Sequence, residues 1–316
     1  MAVLVTGGYG HIGSWVCHDL IKEGKDVIIM GRSRHRESYL EDLADHITFY
    51  PADVLDYASI FRCFEQFKGK IDGIIHIAGL MGGPFFATNP HYHIRINTMG
   101  TVDMLEAARV FGVKKFIYIS SGSVFGPRED IPLEGAPLTP GDLYGAAKSS
   151  AEFFGLQYAN EFGIDFTAVR VYFAFGPGHF PSELYPLYKA IFGCLEGQTK
   201  ITLPAGRDQA FDFTYVRDVS RAVCLFYNAK SLKHRQYNTC SGFYAKVPEL
   251  IAIAAKYAGH PVEVEIGPGR ITPRGPSLDF TRTREELGWA PQFSFEQGVK
   301  EYADWIKAEQ ERAGGR

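Results

Sequence analysis

The chain has 316 residues, 46% apolar and 22% charged, enough to bury one large core or two smaller ones, which excludes disorder, collagen and coiled coil. Its 33 Lys and Arg stand against 36 Asp and Glu with no long block of one sign, so nothing marks a nucleic acid or an anionic membrane as partner, and a small-molecule substrate is expected. The five cysteines are scattered without a Cys-x-x-Cys spacing and no stretch has the apolar length of a membrane span; the expectation is a cytoplasmic protein with no disulfide framework, zinc or membrane contact.

The first elements alternate. Ala2 to Thr6 reads as a buried strand broken by Gly7 and Gly8, and Ile12, Val16, Leu20 and Ile21 recur at helical spacing up to Lys22, with Gly24 placed to end the helix. Strands at Val27 to Met30, Ile47 to Tyr50, Gly73 to Ile77 and Lys115 to Ser120 are separated by helices at Ser59 to Phe67 and Thr98 to Phe111. A helix from Tyr144 to Phe162 and a strand from Phe166 to Val171 follow. The pattern predicts an α/β fold, a Rossmann-type doubly wound parallel sheet with a smaller C-terminal substrate-binding lobe.

Beyond Val171 the periodicity loosens. Tyr172 to Gln209 is rich in Gly, Pro and aromatics and reads as loops and short helices over a substrate; Phe213 to Ala229 and Gln236 to Cys240 resume the sheet pattern. Helices at Val247 to Ala258 and Phe295 to Glu309 complete the lobe, with a frayed end from Arg312 to Arg316. The expected division is a dinucleotide-binding domain over 1–171, completed by about 213–240, and a substrate-binding lobe over 172–212 and 241–316.

Gly7, Gly10 and Gly13, with His11 and Ile12 between them, lie between a strand and a helix, where glycines permit a tight turn, close approach of a pyrophosphate and close helix packing. The acidic residue that would bind an adenosine ribose diol at the end of the second strand is missing; Gly31 stands there, followed by Arg32, Ser33 and Arg34, which suit a 2'-phosphate. NADP is therefore expected over NAD. Asp53 suits either the adenine amino group or a helix N-cap.

Tyr144 and Lys148 are four apart on a predicted helix, so both face one cleft, where an ammonium would stabilise a phenolate. Upstream, Ser120 to Gly126 presents hydroxyls at the carboxyl end of a strand. With TGGYGHIG, ISSGSVFG, YGAAK, VRVYFAFGPG, DFTYVRDV and LGWAP in this order over nearly the whole chain, the sequence resembles the extended short-chain dehydrogenase/reductase family, best known for nucleotide-sugar epimerases and dehydratases. The resemblance implies Tyr144 as general acid/base, Lys148 as the group that binds the nicotinamide ribose and lowers the tyrosine pKa, and Ser121 as a hydrogen-bond partner of the reacting oxygen. It adds Val54, Ala78, Gly79 and Asn97 to the cofactor site and implies a homodimer packed through the helices at Thr98 to Phe111 and Tyr144 to Phe162.

The departures matter as much. The Asp-Glu pair of family dehydratases is here Gly122 and Ser123, which argues against dehydration, and the Asn and Arg that contact the substrate diphosphate are Phe173 and Phe211. Arg207, Arg217, Arg270 and Arg274 are the candidates to compensate. Met81, Phe85, Phe86, His91, His93, Phe125, Phe173, His179 and Phe180 are expected to border an apolar pocket; Met81, Ser123, Phe173, His179 and Arg274 are the substrate candidates. His91 and His93 read as a helix start, and no metal is assigned. The leading expectation is an NADP-preferring oxidoreductase acting on a secondary alcohol or ketone of a small non-nucleotide substrate (a sugar, a sugar acid or an apolar alcohol). The alternatives are a nucleotide-sugar 4-epimerase and a non-catalytic NADP sensor.

Overall fold

The computed structural model describes residues 1–34, 38–81 and 88–314. Apolar, β-branched runs build a seven-stranded sheet: β1 (Ala2–Thr6), β2 (Val27–Gly31), β3 (Ile47–Pro51), β4 (Ile71–His76), β5 (Lys115–Ser121), β6 (Asp165–Val171) and β7 (Gln236–Thr239). Every pairing is parallel, in the order β7-β6-β5-β4-β1-β2-β3. The register sets Leu4 opposite Ile28 and Ile74, and Phe116 opposite Ile74 and Phe166. Because the chain leaves β1 in one direction and returns beside it at β4, a crevice opens at their carboxyl ends, the usual ligand position of such sheets.

Both faces are covered. Helices α1 (His11–Lys22) and α5 (Val216–Asn228) lie on one face, over a core of Val3, Val5, Val16, Leu20, Ile29, Ile75 and Val223. Helices α2 (Tyr57–Gln66), α3 (Gly100–Phe111) and α4 (Leu143–Phe162) cover the other, over Leu4, Ile28, Phe64, Ile74, Met104 and Phe116. Gly24, just past α1, adopts φ 81°, the left-handed conformation that ends helices.

Several elements differ from the sequence reading. The helix expected from Thr98 begins as a short helix at Pro90–Ile94, passes through a wide π turn at Arg95–Met99 and only then becomes α3. The segment Phe213 to Ala229 holds only a two-residue strand, Thr214–Tyr215, before α5; buried Val216, Val219, Val223 and Phe226 recur at helical, not strand, spacing. The last helix runs Phe295–Gly314, past the expected end at Glu309, so Arg312 is helical; residues 315–316 lie outside the described residues.

The remaining chain gathers around a second core. Phe175, Tyr188, Phe192, Phe211, Phe213, Leu250, Phe295 and Tyr302 pack together, with the Phe175 and Phe192 rings stacked at 5.1 Å. Helices Pro186–Phe192 and Val247–Ala255 and the strand pairs Lys200–Leu203 with Glu263–Ile266 and Ala210–Asp212 with Tyr244–Lys246 complete it.

Candidate active site

Thr6, at the carboxyl end of β1, ties the sheet's central crevice together. Its hydroxyl accepts from the Ile77 and Ala78 N–H groups, both at 3.1 Å, and lies 2.8 Å from His76 Nδ1. With two donors already pointing at it, the hydroxyl gives its own proton to Nδ1, which leaves His76 Nε2 to donate to Thr101 at 3.2 Å. Burial keeps this imidazole neutral, its pKa drawn down to about 3.

Gly7 turns the chain at φ 68° and lies against the Ala78 backbone. Across the turn, a Cβ on Gly13 would stand 2.1 Å from the Gly7 carbonyl oxygen, so the strand-loop-helix passage closes only with glycine there. Gly10 is the N-cap of α1, whose free N–H groups and dipole face the crevice. His11 Nε2 donates to the Gly176 carbonyl at 3.1 Å; burial, with His179 beside it, takes its pKa down to about 3.

The opposite wall comes from β5 and α4. Ser121 ends β5 and accepts from the Ser123 N–H at 3.2 Å, with the two hydroxyls 3.0 Å apart. Asp142 caps α4 through the Gly145 N–H at 2.7 Å and so fixes the helix that carries Tyr144 and Lys148 one turn apart. The Tyr144 phenol hydrogen-bonds Ser121; burial raises its pKa, while that bond and Arg274 oppose the rise. The Lys148 ammonium donates to the Ile119 carbonyl at 2.8 Å and lies 4.9 Å from the Tyr118 ring centre. Burial draws its pKa down to about 8 against the opposing effect of Glu152. Asn97, set by the π turn, bonds both backbone groups of Leu80 and the His93 carbonyl, holding the loop that follows β4.

These walls enclose a cavity of about 540 Å³. Of the residues expected at a cofactor, Gly7, Gly10, His11, Ile12, Ala78, Gly79 and Asn97 line it, together with Ser121, Tyr144 and Lys148. Gly13 supports the loop from behind. Arg32, Ser33 and Arg34 are exposed beyond the cavity, with Arg32 donating to the Tyr92 hydroxyl at 2.9 Å. Asp53 is not the helix cap, which is Asp56; it accepts from the Leu55 N–H at 2.9 Å. Val54 packs where Gly100 has no side chain.

On the substrate side Met81, Ser123, Phe173, His179 and Arg274 all line the cavity. Phe125, His93 and Phe180 do not: Phe125 is buried beneath Arg170, His93 is buried on the short helix, and Phe180 lies against Trp305. His91 is exposed on the same short helix, and Phe85 and Phe86 lie outside the described residues. Leu184, Tyr185 and Tyr188, not singled out in the sequence, add to the apolar wall; Tyr188 lies on a short Pro-started helix, Pro186–Phe192, and the other two just before it, a stretch too brief to show periodicity.

The four candidate arginines separate. Arg274 alone lines the cavity, held by Asp142 at 3.2 Å. Arg217 pairs with Glu301 at 3.0 Å, Arg207 bonds the Ile266 carbonyl, and Arg270 reaches the Arg274 carbonyl at 2.6 Å. Phe211 is fully buried in the second core, 5.3 Å from the Phe173 ring. Phe173 itself has φ 38°, the one positive value outside glycine among the described residues.

Residues 3–240 match the NAD dependent epimerase/dehydratase family. The chain is 30% identical to the UDP-glucose 4-epimerase of Mycolicibacterium smegmatis, over 97% of this chain and 99% of that one. Among solved structures it resembles the UDP-glucose 4-epimerase of Thermotoga maritima with UDP-glucose (TM-score 0.84, 27% identity, 98% of this chain and 100% of that one). It also resembles the UDP-glucuronic acid 4-epimerase of Bacillus cereus in complex with NAD (TM-score 0.80, 25% identity, 98% and 99%).

Proposed function

The chain belongs to the NAD dependent epimerase/dehydratase family, and from that premise we propose that it inverts a secondary alcohol of a nucleotide sugar at C4 by way of the ketone. The observation that carries the reading is the convergence of Ser121, Tyr144 and Lys148 on one cavity wall opposite the glycine loop.

The loop fits a dinucleotide. Its glycines leave a cradle that a Cβ at position 13 would fill with a backbone clash, and the α1 N-terminus faces a pyrophosphate placed there. Gly7, Gly10, His11 and Ile12 would hold the diphosphate, Ala78, Gly79 and Asn97 the middle of the molecule, and Asp53 and Val54 the adenine. A bound nicotinamide supplies the hydride acceptor and, in the return step, the donor. The Tyr144 phenolate takes the substrate hydroxyl proton and returns it when the carbonyl is reduced; Ser121 holds the same oxygen in line. The Lys148 ammonium favours the phenolate and binds the nicotinamide ribose. Phe173, Met81 and Tyr188 exclude water from the ketone, and Arg274 supplies the positive charge that meets an anionic substrate group. Dehydration is disfavoured on packing alone, since a Cβ on Gly122 would stand 2.5 Å from the Tyr172 ring and leaves no room for an acidic side chain.

A second reading rests on Phe211 and Phe173. Where a diphosphate ligand would be needed, one ring is core and the other lines the cavity, so a small non-nucleotide alcohol oxidised at the expense of NADP also fits. Cofactor handling separates the two. The epimerase should purify with bound NAD, released on denaturation, and invert UDP-glucose or UDP-glucuronic acid without added cofactor. The dehydrogenase should bind NADP more tightly than NAD in calorimetric titration. Arg32→Asp should then weaken NADP about tenfold or more while sparing NAD, the effect of losing a charge-assisted phosphate bond. An unchanged NADP affinity in that variant removes Arg32 from the cofactor site.

A further inference from the structure

Behind the reacting face lies a second set of buried charges. Glu152, one turn beyond Lys148 on α4, is 0% exposed and pairs with Arg170 of β6, 1% exposed, at 2.7 Å. The carboxylate is fully engaged: Oε1 accepts from Ser120 at 2.5 Å and from Arg170 Nε at 2.9 Å, and Oε2 from Arg170 Nη2 and from Gln236 at 2.9 Å. Arg170 also donates to the Glu134 carbonyl at 2.9 Å and lies over the Phe125 ring. Neither charged residue lines the cavity. Buried ion pairs of this kind contribute little net stability over apolar residues of the same volume, so stability alone gives no reason for one here.

The neighbouring ammonium gives one. Lys148 is only 5% exposed, and the charged and titratable groups around it come from several elements. Tyr144 and Glu152 share its helix, Tyr118 and the Ile119 carbonyl face it from β5, His76 lies on β4, and Arg170 stands behind Glu152 on β6. His76 is neutral, and burial raises the pKa of both phenols. Glu152 is thus the one negative charge in this set. We propose that Glu152 is a positioning residue: anchored by Arg170, Ser120 and Gln236, its carboxylate keeps Lys148 charged, and the ammonium can then act on the Tyr144 phenol. The inference rests on the reading of Lys148 and Tyr144 given above.

Removing one negative charge makes every neighbouring proton easier to lose. Glu152→Gln should therefore lower the titration midpoint of Lys148 by about one unit or more, from near 8 toward 7, and move both limbs of a pH–rate profile to lower pH. Glu152→Gln/Arg170→Gln removes both charges and guards against a variant that fails to fold because a buried arginine is left unpaired. Because Glu152 stands one turn from Lys148 on the same helix and Arg170 bonds the carboxylate from β6, the double variant should keep a smaller downward shift. The midpoint is read by carbon NMR of protein labelled at lysine Cε, with the Lys148 signal identified by its absence in Lys148→Met. A lower midpoint in the folded variants supports the proposal; a midpoint unchanged from wild type in the double variant overturns it. The titration needs no turnover, so failure of the catalytic reading would appear separately, as retained activity in Tyr144→Phe.

Discussion

Tyr144→Phe is expected to lower turnover by about 10²–10⁴-fold, the loss that follows removal of a positioned general acid/base, while dinucleotide binding stays within a few-fold of wild type. The split follows from geometry. The phenol hydroxyl bonds Ser121 and lines the cavity, whereas the glycine cradle is built from β1, α1 and the loop after β4. The ring itself remains, so packing on α4 is undisturbed. Steady-state kinetics beside calorimetric cofactor titration check both halves. Full activity in this variant would remove the phenol from the chemistry; parallel loss of both would mean that the substitution had disturbed the fold.

Gly13→Ala should act in the opposite sense, on binding before chemistry. The added methyl would sit 2.1 Å from the Gly7 carbonyl oxygen and 2.9 Å from the Gly8 Cα, both backbone, so neither can swing aside. The loop must open, which should cost about 1–3 kcal/mol, roughly 5- to 150-fold in dinucleotide Kd. Gly24→Ala provides the contrast: nothing lies within 4 Å of a Cβ there, so only the strain of its left-handed φ of 81° is felt. Calorimetry and thermal melts of the two variants separate a cradle effect from a general loss of stability. A Gly13→Ala protein that binds dinucleotide like wild type would contradict the placement of the diphosphate.

These two residues were legible in the sequence because their signals are carried by short motifs. A glycine triplet between a strand and a helix is recognised in place, and Tyr and Lys one turn apart gain their meaning from the hydroxyl-bearing strand end and the ordered motifs around them. The sheet was legible for the same reason: β1, β2, β4 and β5 are short apolar runs bounded by turns. Where pairing decides the role, the sequence was silent. Glu152 and Arg170 meet only because α4 packs on β6, and nothing in either segment marks them. Arg274 is singled out in the sequence by the resemblance alone; only the fold shows that Arg217 is taken up by Glu301 while Arg274 lines the cavity. The α5 segment was misread because its two-residue strand runs straight into the helix, so strand and helix periods overlap. Phe173 shows the limit most clearly. Its side chain marks it as a pocket residue, yet nothing in the sequence shows that its backbone occupies a left-handed conformation, which costs about 1 kcal/mol or more, at the edge of the reacting cavity.

The central claim is that this site oxidises and then re-reduces one carbon of a nucleotide sugar. The most direct measurement is proton NMR of the probe nucleotide sugars during incubation with the protein as purified, with absorbance at 340 nm followed in parallel. The account predicts appearance of the C4 epimer, catalytic in protein, with no net change in absorbance. Steady growth at 340 nm with ketone product, or an unaltered sugar spectrum while a non-nucleotide alcohol reduces NADP, would contradict it.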